Sequence, residues 1–200
     1  MPPKQTITEK SIINAAFNLV RKKGISALSA RSIAKALSCS TQPVYSCFKT
    51  MKELENKVIE MAFDFILKTY LTTGAYSDDP FFSMGLGYIQ MAKKDPPLFD
   101  MIYLSEHTQK LFGSDIYPGR KKGLVRTMKK DPQLNKLAPD TLRDILGHMW
   151  TYTHGLAMLA RANPDLSDKI IHDRLHEMGR TLINSKLEKQ GIEPNETHCH

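Results

Sequence analysis

The chain has 200 residues, of which 41% are apolar and 24% are charged, as is typical of globular rather than disordered proteins. This length suits one large domain or two unequal ones. No apolar run approaches the ~20 residues that span a bilayer, and the first residues lack the apolar core of a secretory signal. We therefore expect a cytoplasmic protein with no membrane partner.

The formal net charge of +7 is concentrated in the N-terminal quarter. Residues 1–52 carry nine Lys or Arg and one acid, whereas residues 53–200 carry 19 bases and 20 acids. Such a pole attracts a phosphate backbone because binding releases condensed counterions. A solvated basic surface or a face for acidic membranes is the alternative. The charge pattern favours nucleic acid.

Three helices are predicted in the basic segment. The first covers residues 8–23, and cations in its last turn followed by Gly24 mark its end. The second is capped by Ser29 and runs through Leu37. After a turn at 38–40, the third is capped by Ser40 and runs to Phe48. Two short helices joined by a tight turn are the geometry that places one helix in the DNA major groove.

The rest of the chain is also predicted to be helical. A longer helix runs from Met51 to about Tyr70. Prolines that follow Asp, Ala or Asn mark further boundaries, because proline is tolerated only in the first turn of a helix. They predict helices near 80–94, 97–105, 117–130, 140–161 and 167–189, with 105–117 partly loop. The predicted fold class is all-α with about nine helices.

Two parts of the chain resemble a known family. The first carries Ile13-x-x-Ala16-x-x-Leu19, Gly24, Ser32-Ile33-Ala34-x-Ala36, Ser40, Val44-Tyr45-x-x-Phe48 and Lys52-Glu53-Leu54. In order and spacing these residues resemble the DNA-binding domain of the TetR/AcrR (tetracycline-repressor) family of bacterial transcriptional regulators. More weakly, Tyr88-Ile-x-x-Ala92, Asp95-Pro-x-Leu98-Phe99 and Trp150-x-x-x-His154-Gly155 resemble one ligand-domain subtype of that family.

The resemblance implies a division by function. Residues 1–52 would form a three-helix helix-turn-helix domain, residues 53–190 a ligand-binding and dimerisation domain, and residues 191–200 a polar tail. The chain departs from the family pattern at three places. Ser38 replaces a glycine in the turn, Cys47 replaces a histidine, and Met51 replaces the lysine that commonly contacts phosphate. Lys49 and Lys52 flank that last position, and either can take its place.

The third helix carries the candidate DNA-binding residues. Gln42 is predicted to read a base, because an amide can pair with both N6 and N7 of adenine. Thr41 and Pro43 lie beside it and can contact a thymine methyl group, whereas Val44 and Phe48 are predicted core. The remaining candidates offer hydroxyls or positive charge to the backbone: Ser29, Arg31, Ser40, Tyr45, Ser46, Lys49 and Lys52. Packing is the alternative for Tyr45.

The C-terminal part resembles a sensor. Methionines and aromatic residues recur on its middle helices, and such side chains line pockets for small molecules. Plain core packing is the alternative for each of them, and a hydrogen-bonded buried histidine is the alternative for His154. The candidate ligand-binding residues are Phe65, Met84, Tyr88, Met91, Phe99, Tyr103, Trp150, His154 and Met158.

The last two predicted helices are amphipathic. Two such helices can complete a four-helix bundle with a second copy, and a two-fold dimer requires a palindromic operator. Packing within one chain is the alternative. The candidate dimer residues are Leu142, Ile145, Leu146, Met149, Ile171, Leu175, Met178 and Leu182.

These observations predict a ligand-responsive transcriptional regulator, most simply a repressor. It would bind double-stranded operator DNA as a homodimer and be released by a small apolar or amphipathic effector. No catalytic residues, cofactor or metal are predicted, since the chain has no phosphate loop or nucleophile motif. The alternative is an interaction module that uses the basic end on a protein or a membrane.

Metal and thiol chemistry are weaker alternatives. His172 and His176 share a helix face, and the tail carries His198-Cys199-His200, but neither set offers four ligands. Cys39 and Cys47 are predicted to be packed free thiols rather than redox sensors, because a reactive thiol needs an exposed electropositive site.

Overall fold

The computed structural model of the chain describes residues 7–104 and 121–194. Within those ranges the regular structure is entirely helical, with nine α-helices and no strand. The predicted all-α fold class is therefore confirmed.

The helices follow one another with short connections. Their bounds are α1 Glu9–Lys23, α2 Ala30–Ala36, α3 Gln42–Cys47, α4 Met51–Ile66, α5 Pro80–Lys94, α6 Pro96–Tyr103, α7 Lys121–Met128, α8 Pro139–Ala162 and α9 Asp168–Glu188. Short 3-10 turns cover Ile25–Ala27 and Leu134–Lys136, and a π turn covers Leu67–Leu71. The starts of α5, α6 and α8 agree with prediction to within a residue. Each is marked by a proline, whose fixed φ and missing N–H restrict it to the first turn of a helix. Residues 105–120, which include the predicted loop and the start of the predicted helix near 117, lie outside the described ranges.

By packing, the described residues fall into two compact units. The first contains residues 7–66 and 95–104, and the second contains residues 67–94 and 121–194. Packing therefore divides the chain after Ile66, whereas the predicted functional division after residue 52 concerns roles and stays a prediction.

The first unit is organised around α1. This helix packs against α2, α3, α4 and α6, and it buries Ile12, Ala16 and Val20. Its start is fixed by a capping box in which Ser11 N–H donates to Thr8 Oγ1 (3.2 Å). Its end is at Gly24, whose φ of +82° suits a residue without a side chain.

The second unit is built on α5, α8 and α9, which pack against one another. Gly87 in α5 allows an unusually close approach, because a Cβ there would lie 1.8 Å from the carbonyl oxygen of Tyr70. Tyr70 belongs to the π turn, in which Thr72 N–H donates to Leu67 O (2.9 Å). The prediction that one α-helix continues to about Tyr70 is therefore wrong beyond Ile66. None of the helices in the described ranges is long and apolar enough to cross a bilayer.

Candidate functional site

The start of α2 is fixed by a pair of serines. Ser32 N–H donates to Ser29 Oγ (3.1 Å), and Ser29 N–H donates to Ser32 Oγ (3.1 Å). This reciprocal bonding fixes the first turn of a helix that is only seven residues long. The Ser29 hydroxyl is thus already bonded within the chain. Arg31, in the same first turn, is exposed and positively charged.

The turn between α2 and α3 is closed by two backbone hydrogen bonds. Cys39 N–H donates to Ala34 O (3.0 Å), and Ser38 N–H donates to Lys35 O (3.3 Å). This pattern ends a helix with one residue in the left-handed region, usually glycine. Ser38 holds that position with φ of +52°, and it is the one non-glycine residue with positive φ in the described ranges. The turn is made without glycine, at the cost of local strain.

Helix α3 has a buried side and an exposed side. Val44 and Phe48 are buried, as predicted. Thr41 and Gln42 are exposed, and Tyr45 is 58% exposed, which favours a surface role over packing for this aromatic ring. The other α3 candidates are an exposed Ser46 and a half-buried Pro43.

Two hydroxyls near α3 differ from expectation. Ser40 is exposed but does not cap the helix, since the N-cap is Thr41, which makes no side-chain capping bond. The prediction that Ser40 is the N-cap of α3 is therefore wrong by one residue. Ser46 Oγ donates to Gln42 O (3.0 Å), so this hydroxyl is bonded to its own helix.

The two candidate phosphate-binding lysines, Lys49 and Lys52, lie near the start of α4 and differ in their contacts. Glu53 N–H donates to Thr50 Oγ1 (3.2 Å), and Lys49 N–H donates to Glu53 Oε2 (3.0 Å), which fixes the backbone of Lys49. Lys52 Nζ lies 2.9 Å from Glu55 Oε1. The Lys49 side chain is exposed. The ammonium group of Lys52 is thus held within α4 by an ion pair.

Solved structures share this arrangement of helices. A TetR-family transcriptional regulator from Streptomyces coelicolor superimposes with a TM-score of 0.67 at 15% identity, over 92% of this chain and 88% of that chain. SmeT, the repressor of the Stenotrophomonas maltophilia multidrug efflux pump SmeDEF, superimposes with a TM-score of 0.52 at 17% identity, over 92% and 90%. The chain has a TetR-type fold. No protein-family model and no curated protein sequence matches it.

In this TetR-type fold, three candidate ligand residues meet in the second unit. The Tyr88 hydroxyl lies 2.8 Å from His154 Nδ1. The Trp150 ring stacks on the His154 ring, with centroids 5.4 Å apart and an angle of 27° between planes. Burial lowers the pKa of His154 below its ordinary value of 6.5, which favours the neutral imidazole. The cluster combines apolar rings with one polar centre.

The other candidate ligand residues are divided between the two units. Met84 and Met91 are buried in α5, and Met158 is exposed on α8. In the first unit, the Phe65 ring lies 5.4 Å from the Phe17 ring, and the Phe99 and Tyr103 rings pack 5.2 Å apart. Each of these three aromatic residues thus has partners of its own within that unit.

Most of the candidate dimer residues are buried within one chain. Six of them have less than 9% of their surface exposed: Leu142, Ile145, Leu146, Met149, Ile171 and Leu175. Met178 is 38% exposed and Leu182 is half-buried. This burial favours packing within the chain, the alternative given above, for the first six.

The surface of the same two helices carries other apolar residues. Leu159 is 60% exposed and Ile170 is 44% exposed. Both border an open groove of about 630 Å³ between α8 and α9, together with Thr151, Gly155 and Arg174. Gly147, Thr151, Gly155 and Leu159 are spaced four residues apart and so lie along one side of α8. Sequence periodicity missed this side of α8 because Gly147, Thr151 and Gly155 are too small to form an apolar stripe.

The weaker candidate sites concern metal and thiol chemistry. Among the residues that the structure describes, no three His, Cys, Asp or Glu side chains come together as a metal site. The His172 and His176 rings are parallel with centroids 6.1 Å apart, and both contact the Phe82 ring. Cys39 and Cys47 are half-buried free thiols. The tail residues 198–200 lie outside the described ranges.

Proposed function

We propose that the chain is a transcriptional regulator that binds a palindromic DNA operator as a homodimer. The observation that carries this proposal is helix α3, which is anchored by Val44 and Phe48 and presents Gln42 and Tyr45 to solvent. A short helix held in this way after a tight turn can enter the major groove with its N-terminal residues against the bases. Lys49 and Arg31 would contact the phosphates on either side.

The comparisons support repression, rather than activation, of transcription. SmeT is a repressor and shares the fold. A cytoplasmic, non-enzymatic repressor that occupies a promoter needs only a DNA-binding surface and a means of release. The Tyr88, Trp150 and His154 cluster supports release by a small apolar or amphipathic effector, because apolar rings around one hydrogen-bonding centre can both hold and orient such a molecule.

The groove between α8 and α9 supports the homodimer. It exposes Leu159 and Ile170, and exposed apolar patches of this kind mark interaction surfaces. A second copy related by a two-fold axis would place the same two helices against it. The dimer interface proposed here is thus formed by the exposed residues Leu159, Ile170 and Met178, rather than by the six buried candidates on α8 and α9.

A gel-shift experiment tests the DNA-binding function. The wild-type chain should bind one operator sequence far more tightly than random DNA, and binding should weaken as salt rises. Gln42→Ala should lower affinity for the operator by about 5–150-fold per half-site, because a bidentate base contact is worth about 1–3 kcal/mol, and should leave random DNA almost unaffected. Asn18→Ala removes an exposed amide from α1 and serves as the matched control. If the chain binds DNA at none of the salt concentrations tested, this would instead favour an interaction module that binds a protein or a membrane.

A further inference from the structure

One arginine contacts both places where the chain passes between its two units. The first unit ends at Ile66 and resumes at Asp95. Arg21, in the last turn of α1, contacts Asp95 itself and also Phe65, one residue before the other passage. These three residues all belong to the first unit and are called the Arg21 clamp below.

The contact with Asp95 is a two-pronged ion pair. Arg21 Nε donates to Asp95 Oδ1 (2.6 Å) and Nη2 donates to Oδ2 (2.9 Å). Parallel bonds of this kind fix direction as well as distance, since the planar guanidinium matches the planar carboxylate. The Asp95 side chain is only 8% exposed. The Arg21 side chain is 38% exposed, so burial shields the carboxylate, more than the guanidinium, from the solvent that weakens surface ion pairs.

The sequence at the start of α6 leaves this carboxylate available. Asp95 is the N-cap of α6, a position where an aspartate normally accepts a helix N–H, yet it makes no side-chain capping bond. Pro96 and Pro97 follow and have no N–H to be capped. The next two N–H groups, of Leu98 and Phe99, both donate to the backbone oxygen of Asp95 (3.0 Å each).

The contact with Phe65 is a cation–π interaction. The guanidinium carbon of Arg21 lies 4.5 Å from the centre of the Phe65 ring, near the end of α4. Phe17, one turn earlier on α1, packs its ring 5.4 Å from the same Phe65 ring. One side of α1 thus holds the end of α4 and the start of α6. The same helix packs against α2 and α3.

We propose that Arg21 is a positioning residue that fixes α1, and with it the DNA-reading helices, to the end of α4 and the start of α6. In a dimer, this fixing sets the distance between the two half-sites that the protein reads. A movement of the chain at Ile66 or at Asp95 would then be transmitted to α3 by α1, which moves as one rigid helix. This inference rests on the proposed function.

The test compares operators that differ only in half-site spacing. Each added base pair moves the half-sites apart by about 3.4 Å and turns one relative to the other by about a tenth of a turn. Affinity is measured for the selected operator and for versions with one, two and three added base pairs. The main variant is Arg21→Met with Asp95→Asn. It removes both charges, so that neither charged group is left without its ionic partner. Arg21→Lys keeps the charge but loses the planar fork, and serves if the double variant does not fold.

The control is Lys93→Met with Asp168→Asn. It removes an exposed ion pair (2.7 Å) of the second unit that has no part in the Arg21 clamp. Wild type and control should lose affinity steeply as base pairs are added. In the double variant the ratio of affinities between the best spacing and the altered spacings should shrink by about 5–10-fold, the lower range of typical coupling factors, and Arg21→Lys should give a smaller change in the same direction.

Two results would overturn the proposal: a spacing profile unchanged in both Arg21 variants, or an equal loss at every spacing, which is the mark of lost stability alone. If the wild-type chain binds no operator selectively, the proposed function itself fails, and there are then no half-sites whose spacing Arg21 could control. That pattern is distinct, because it is seen before any variant is made.

Discussion

Substitution of Gly155 separates the stability of one chain from the stability of the dimer. Gly155 lies inside the 24-residue helix α8, and a Cβ added there meets nothing within 4 Å in the single chain. Alanine is more favourable than glycine in a helix interior by about 0.8–1.0 kcal/mol. We therefore expect Gly155→Ala to stabilise the isolated chain by about 1 kcal/mol. Gly147 has the same open surroundings two turns away, so the double variant should gain about 2 kcal/mol.

The dimer should respond in the opposite direction. If a second copy packs on this side of α8, the added methyl group enters a close helix contact and costs about 1–3 kcal/mol. Because a two-fold axis places the substitution in both copies, the total penalty should reach at least about 2 kcal/mol, which raises the dimer dissociation constant about 30-fold.

Sedimentation equilibrium measures the dissociation constant, and chemical denaturation at a concentration below it measures the stability of one chain. Gly123→Ala is the matched control, since a Cβ at Gly123 also meets nothing within 4 Å and the residue lies in α7. A Gly155→Ala protein that gains stability and still dimerises as tightly as wild type would refute this dimer surface.

Three further changes test separate parts of the structure. Ser38→Gly should raise the unfolding free energy by roughly 0.5–1 kcal/mol, since a left-handed backbone strains serine; no gain in thermal denaturation would contradict this. Lys49→Ala should reduce the slope of log affinity against log salt by about 1 per copy, and Lys52→Ala by less because Glu55 holds its ammonium; equal reductions would argue against the assignment. His154→Asn should abolish a loss of stability that wild type shows as pH falls below 6.5, because the lowered pKa of His154 makes the unfolded chain bind more protons there; a difference in unfolding free energy between the two proteins that stays constant with pH would exclude it.

The features predicted well from the sequence are those fixed by neighbouring residues. The end of α1 at Gly24 and the starts of α5 and α8 follow from the backbone of one glycine or proline. Val44 and Phe48 were recognisable as core by their spacing. The exposure of Thr41, Gln42, Tyr45 and Ser46 follows from the same helical period, so most of the candidate DNA-reading side is accessible from sequence.

Features that depend on distant residues were missed. The π turn after Ile66 accompanies the close approach of Gly87 to Tyr70, which no local pattern indicates. Arg21 and Asp95 are 74 residues apart, and only the unusual Asp-Pro-Pro sequence hints that this carboxylate is not needed as a cap. Hydrophobic periodicity on α8 and α9 identified a buried stripe correctly, but periodicity does not tell whether the same chain or a second copy buries it.

Selection of DNA from a random pool by the wild-type chain tests the central claim most directly. We expect recovery of an inverted repeat whose half-sites have one fixed spacing, because two copies of α3 related by a two-fold axis must read it. In the same selection, Gln42→Ala should lose preference at specific positions within each half-site while keeping the repeat. Recovery of no enriched sequence, or of a single motif without a repeat, would contradict the account.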